Sequence, residues 1–147
     1  MRFDYAAIIA RAPDSGDYVV IFRPEVQVTL YGPNGSGEFR ALVDTGADNI
    51  VFPGAVARDL GIPLTACKGP AATVFGGQEV ALYAAEVELE LVALGERLRW
   101  KTQAYFAVGA EEESLILGHQ GFLEYFTATF KGDEFALDLE ANPYLPT

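Results

Sequence analysis

Ala41-Leu42-Val43-Asp44-Thr45-Gly46-Ala47-Asp48 is the stretch on which the reading of this chain turns. Ala41 to Val43 read as the end of an apolar strand that delivers a carboxylate at its tip. Thr45-Gly46 is small and turn-prone, so the backbone is expected to reverse just after Asp44. A carboxylate held against an apolar strand is a candidate for chemistry, with a plain turn as the alternative. Asp14-Ser15-Gly16 shows how readily such a triplet arises. It has no apolar strand before it and sits beside Pro13 in a turn-rich segment, so it is read as a loop.

Working outward from Asp44, alternation sets the fold class. Val26, Val28 and Leu30 share one side of a strand, and Glu25, Gln27 and Thr29 the other. Gly32 to Gly37 reads as a hairpin loop, and Phe39 to Val43 as the returning strand. After the motif, Ile50-Val51-Phe52 is a short strand. Pro53 then opens a helix from Gly54 to Leu60, with Gly61 placed to end it. A second hairpin surrounds Gly76-Gly77, between 71–75 and 78–83. In the third, Val87, Leu89 and Leu91 alternate with Glu86, Glu88 and Glu90, and Leu98 and Trp100 alternate with Arg97, Arg99 and Lys101. A two-residue loop at Leu94-Gly95 would set Glu90 opposite Arg99 and Glu88 opposite Lys101 on a wet face. Glu111-Glu112-Glu113 reads as a solvated loop. Residues 114–118 read as a buried strand ending at glycine, with a helical turn over His119–Glu124. A last hairpin bends around Lys131-Gly132-Asp133, and the Pro-interrupted tail 140–147 is expected to be extended. Tyr18 to Phe22 is a possible strand within an otherwise unreadable 1–22. These signals describe an all-β fold, a compact closed barrel with one or two short helices, in a single domain over 1–147.

Composition narrows the partners. The chain has 147 residues, half of them apolar, and a net charge of −11 from 10 basic and 21 acidic residues. That balance argues against nucleic acid or an anionic membrane surface as partner. Asp4 stands where the basic region of a secretory leader would be, and Arg11 cuts the first apolar stretch short, so a cytoplasmic location is expected. The lone Cys67 excludes an internal disulfide and reads as a small buried hydrophobe. Asn34-Gly35-Ser36 fits a glycosylation acceptor but reads as a turn. A metal site at Asp44 and Asp48 would lack a third convergent ligand, so no metal and no cofactor are expected.

Leu42-Val43-Asp44-Thr45-Gly46-Ala47-Asp48 resembles the active-site motif of retropepsins, the single-domain aspartic proteases typified by retroviral enzymes. Leu115-Ile116-Leu117-Gly118 resembles that family's second signature, an apolar strand ending in glycine. Val74-Phe75-Gly76-Gly77-Gln78 stands where such proteins carry a glycine-tipped flap hairpin, and could equally be a plain turn. The resemblance runs in order from about Arg23 to Phe130. It is nearest to the small bacterial retropepsin-like proteins, which share Arg23-Pro24, Leu30-Tyr31-Gly32-Pro33 and Gly121-Phe122-Leu123-Glu124.

The resemblance implies a retropepsin-type barrel and an aspartic endopeptidase acting on peptide or protein substrates. Hydrolysis without metal or covalent intermediate needs a base to activate water and an acid to polarise the carbonyl. Two carboxylates about 3 Å apart do both jobs by sharing one proton. A chain this short supplies one such residue, so Asp44 of each subunit would meet across a homodimer axis. The family pattern implies that Thr45 bonds across the axis and that Gly46 lets substrate backbone approach. Ala47 and Asp48 would line the substrate, under a flap carrying Phe75, Gly76 and Gly77. Leu117, Gly118 and His119 form the second signature. Retropepsins usually have arginine where His119 stands, paired with a carboxylate of the active-site loop, so His119 is expected to support Asp48. The family interleaves its terminal strands between subunits. The alternating Phe135, Leu137 and Leu139, whose pattern fits ordinary core as well as a dimerising strand, are expected with residues 18–22 at the interface. A catalytically silent peptide-binding or dimerisation module on the same fold is the alternative.

Overall fold

The computed structural model describes residues 1–68, 72–73, 79–109 and 115–146. The expected flap tip with Phe75, Gly76 and Gly77 lies outside the described residues, as does the Glu111-Glu112-Glu113 loop. The strands are β1 (Arg2–Asp4), β2 (Ala6–Arg11), β3 (Tyr18–Arg23), β4 (Glu25–Gly32), β5 (Gly35–Val43), β6 (Val51–Pro53), β7 (Thr65–Ala66), β8 (Ala72–Thr73), β9 (Glu79–Ala93), β10 (Glu96–Val108), β11 (Ile116–Leu117), β12 (Phe126–Lys131) and β13 (Ala136–Ala141). One helix, α1 (Gly54–Leu60), and a 3₁₀ turn (Leu123–Tyr125) complete the described elements.

Each hairpin forms because an apolar alternation meets a turn that can close it. β4 and β5 pair from Glu25↔Leu42 to Gly32↔Gly35, so the loop is only Pro33-Asn34, tighter than the six-residue loop expected. Gly32 is required there: a Cβ would stand 2.5 Å from the Leu60 carbonyl oxygen, because this turn packs on the end of α1. β9 and β10 pair without a break from Ala81↔Val108 to Ala93↔Glu96, through the expected Leu94-Gly95 turn. Both turn residues have positive φ, 44° and 83°, the geometry that matches the twist of the flanking strands. The sequence suggests two separate strands here, because Ala84-Ala85 has weak strand propensity. Pairing of Ala85 with Ala104, both buried, carries the ladder across that gap. The helix forms as expected, with Pro53 at its start and Gly61 ending it in the left-handed region at φ 70°.

Closure is the feature that neighbouring strands cannot announce. β10 pairs in parallel with β6, β6 with β11, β11 in parallel with β5, β5 with β4, β4 with β9, and β9 returns to β10, closing a six-stranded barrel. A closed sheet leaves no free edge and one sealed interior. Val28, Leu30, Ala41, Phe52, Leu89, Leu91, Phe106 and Leu117 fill it with essentially no exposure. The fold is therefore all-β, as the alternation implied.

A second core wall comes from the termini. β1, β13 and β12 form a three-stranded sheet, and Leu137 and Leu139 of its central strand join the same buried cluster. This corrects the expectation for β13. A strand flanked on both sides within its own chain has no edge left for a partner, and its apolar residues are core. Phe135 does not continue the alternation; it sits in the turn before β13 at φ 49°. The C-terminal tail also differs from the extended form expected: Leu145 N donates to the Asn142 carbonyl at 3.2 Å, and Leu145 packs against the core. Cys67, expected to be buried, is exposed just past β7. Residues 2–4 belong to the terminal sheet, whereas β2 and β3 form a separate two-stranded hairpin. No helix among the described residues is long and apolar enough to cross a membrane.

Candidate active site

Asp44 leaves the barrel at the end of β5, and three backbone bonds fix that exit. Leu42 N donates to the Leu115 carbonyl at 2.9 Å, Val43 N to the Pro24 carbonyl at 2.9 Å, and Asp44 N to the Leu117 carbonyl at 3.0 Å. Strand β5 is thus held from both sides up to the carboxylate-bearing residue itself. The chain then turns at Thr45-Gly46, as the sequence implies. Gly46 N donates to Asp44 Oδ1 at 2.8 Å, and Ala47 N to the Asp44 carbonyl at 3.2 Å. The carboxylate is oriented by its own turn, half-buried, while Thr45 and Gly46 are exposed. A Cβ on Gly46 would lie 3.2 Å from Asp44 Oδ1, so glycine also leaves that oxygen room.

The second signature holds this loop from the other side. Gly118 is buried, and a Cβ there would come within 2.5 Å of the Ala47 carbonyl oxygen and 2.6 Å of that of Asn49. Its lack of a side chain is what lets two backbone segments touch. His119 N then donates to the Ala47 carbonyl at 3.0 Å, and Gln120 N to the Asp48 carbonyl at 2.8 Å. The His119 ring lies with Nε2 2.7 Å from the Thr45 carbonyl oxygen. A carbonyl can only accept, so Nε2 carries the proton in that bond. Among the described residues no ion pair joins His119 to Asp48. The expected partner is corrected: His119 supports the loop, through the main chain of Thr45. An imidazole is shorter than the arginine it replaces, and the carbonyl is the acceptor it meets.

Beneath the clamp, Gly118 to Tyr125 wind as turns stabilised by Glu124, whose Oε1 accepts from Gly121 N at 2.6 Å. Gly121 has φ 87°, and its carbonyl accepts the Trp100 indole N–H at 3.1 Å. Trp100, Phe122 and Phe126 form one aromatic cluster, with ring centroids 5.2–6.0 Å apart. The Asp44 loop thus rests on 117–120, which rests on the barrel wall. Burial raises the Tyr125 hydroxyl's pKa at this base, and the Glu124 carboxylate adds to the effect.

The structure therefore brings Asp44, Thr45, Gly46, Ala47, Asp48, Leu117, Gly118 and His119 into one pinned loop system. In the sequence Pro24 stands out only as part of the shared Arg23-Pro24, and Asn49 and Gln120 were not singled out. All three act at the site through backbone groups, which every residue type carries, so no local signal marks that role.

Residues 32–124 match the family model described as "gag-polyprotein putative aspartyl protease". No curated protein matches the chain. Among solved structures, the EIAV protease complexed with an inhibitor is 26% identical over 66% of this chain and 82% of its own, with a TM-score of 0.46. A retropepsin-like aspartic protease from Rickettsia conorii is 23% identical over 90% of this chain and 97% of its own, with a TM-score of 0.47. The family match spans well over half of the chain and contains the whole loop system from Asp44 to His119; the protein belongs to the gag-type aspartyl proteases, the retropepsin-like family.

Proposed function

We propose that this protein is a homodimeric aspartic endopeptidase in which Asp44 and its counterpart in a second copy form the catalytic pair. The observation that carries the reading is a carboxylate oriented by Gly46 N, half-buried at the mouth of a closed barrel, on a loop pinned from both sides. Such rigidity suits a group that must act within a few tenths of an ångström. One carboxylate cannot be base and acid at once, which supports a two-fold partner.

In the proposed reaction the ionised member of the pair takes a proton from water as the water oxygen bonds to the scissile carbonyl carbon. The protonated member gives its proton to the carbonyl oxygen. The resulting gem-diol collapses as a proton moves to the amide nitrogen, the C–N bond breaks, and one free carboxyl and one free amine leave. Thr45 would tie the two loops across the axis. Gly46, Ala47 and Asp48 would contact substrate backbone, and Phe75, Gly76 and Gly77 would close over it. Leu117, Gly118 and His119 position the loop. Residues 1–147 are read as one domain of a cytoplasmic enzyme.

The test is cleavage of a diverse peptide library by wild type and by Asp44→Asn over a range of protein concentrations. Asparagine keeps an oxygen for Gly46 N and loses the acid–base function, so cleavage should fall at least about a thousandfold with the fold intact. Wild-type specific activity should rise with concentration. Cleavage that survives in Asp44→Asn would overturn the assignment. A dimeric wild type that cleaves nothing would leave a peptide-binding module.

A further inference from the structure

The hairpin formed by β2 and β3 is the strongest feature that the catalytic reading does not use. Its register, from Ala6↔Arg23 to Arg11↔Tyr18, puts Ala7, Ile9, Arg11, Tyr18, Val20 and Phe22 on one face. Ile9 is 73% exposed, Tyr18 70%, Val20 59% and Phe22 46%. An isolated two-stranded hairpin is marginal in water, and an apolar one with free edges invites pairing. Natural chains rarely leave such a face uncovered.

We propose that this face is where two copies of the chain meet, so that the hairpin builds the dimer that completes the Asp44 pair. The inference rests on the reading of Asp44 as half of a shared dyad. Three observations select a second copy as the occupant. The hairpin is rooted at the carboxylate: β3 ends at Arg23, and the next residue, Pro24, accepts the hydrogen bond from Val43 N, one residue before Asp44. A partner that brings its own Asp44 to this point must lie beside the hairpin.

Charge selects the same surface. Two copies each at −11 repel, yet neither strand of the hairpin has a carboxylate, and the charge on the proposed face is Arg11. Contact there avoids setting carboxylate against carboxylate. Finally, the terminal sheet has the wrong exterior for the task. Its outer side carries the Lys131–Asp138 and Arg2–Glu134 ion pairs, at 2.7 and 3.0 Å, with Thr127 and Thr129 exposed. The C-terminal strand β13 is flanked on both sides inside its own subunit, and the hairpin takes over the joining role. The hairpin is steadied for it at its base, where the Phe22 and Phe135 rings lie 4.4 Å apart.

The experiment compares wild type, Asp44→Asn and the double variant Ile9→Glu/Val20→Glu by sedimentation equilibrium and peptide cleavage, with circular dichroism as the check on folding. Wild type and Asp44→Asn should dimerise alike. The double variant should keep the wild-type spectrum, dimerise at least about a hundredfold more weakly, and regain cleavage as it is concentrated. Unchanged dimerisation in the double variant would overturn the proposal and leave the catalytic reading standing. A wild type that dimerises through the hairpin yet cleaves nothing would sustain it and overturn the catalytic reading. If the double variant fails to fold, hydrogen exchange of wild type at high and low concentration decides. Protection gained on dimerisation across 6–11 and 18–23 supports the proposal. Protection gained only elsewhere overturns it and frees the hairpin for a foreign protein.

Discussion

Asp44 is held by backbone groups, so the residues that govern it are those whose size permits backbone contact. Gly118 is the sharpest case. In Gly118→Ala the new methyl would meet the Ala47 and Asn49 carbonyl oxygens at 2.5–2.6 Å, and both belong to the active loop. Neither can move without moving Asp44. The variant should lose about 2–3 kcal/mol in urea denaturation, the upper range for overpacking, and its cleavage should fall further than the folded fraction explains. His119 makes the opposite kind of contact, one exposed hydrogen bond to the Thr45 carbonyl. His119→Ala should cost only about 1 kcal/mol of stability, while kcat drops because the loop loses its outer tether. A kcat equal to wild type would separate His119 from the catalytic machinery.

At the scale of elements, the β9–β10 hairpin shows how register and reach combine. Glu88 faces Lys101 and Glu90 faces Arg99 by register, as the alternation implied. The ion pairs run diagonally, Glu88 to Arg99 at 2.8 Å and Glu90 to Arg97 at 3.3 Å, because long arginines span the two-residue offset. Nor is that side simply wet. Tyr31 of β4 donates to Glu90 Oε1 at 3.1 Å and carries the Arg99 guanidinium 3.7 Å above its ring, leaving Glu90 4% exposed. The hydrogen bonds from Arg99 hold the Glu88 carboxyl below its ordinary pKa. A lowered folded-state pKa contributes stability above the ordinary carboxylate value, and this is lost as pH falls through the folded one. Wild type should therefore melt above Glu88→Gln at neutral pH, and the two should converge in acid. A constant gap down to about pH 2, well below the reference glutamate pKa, would show that the pair is not the source.

Across the whole molecule, charge and topology decide how copies meet. In the proposed dimer, two subunits at −11 would attract through apolar surface against a repulsion that salt screens. The dimer should tighten as ionic strength rises from about 0.01 to 0.5 M, where screening shortens from about 30 Å to a few ångströms. Weakening over that range would mean that the interface is built from ion pairs. Much of the rest was legible in the chain itself. Alternating apolar residues, the Leu94-Gly95 turn, the Pro53–Gly61 bracket on α1 and the acid at the end of an apolar strand are local signals, and each corresponds to an observed element. Periodicity and turn chemistry act between near neighbours, so sequence alone determines the strands that alternate clearly, such as β4, β5 and those flanking Leu94-Gly95, and that Asp44 stands at the end of one. Strands β1 and β2, within the unreadable 1–22, were not legible. Tertiary structure decided what depends on distant segments meeting. It set the parallel β10–β6 and β11–β5 pairings that close the barrel, the backbone grip of 117–120 on the Asp44 loop, and the burial of β13 inside its own subunit. It also left β2 and β3 outside the core, because the barrel closes without them and no local pattern says which apolar strands it will use.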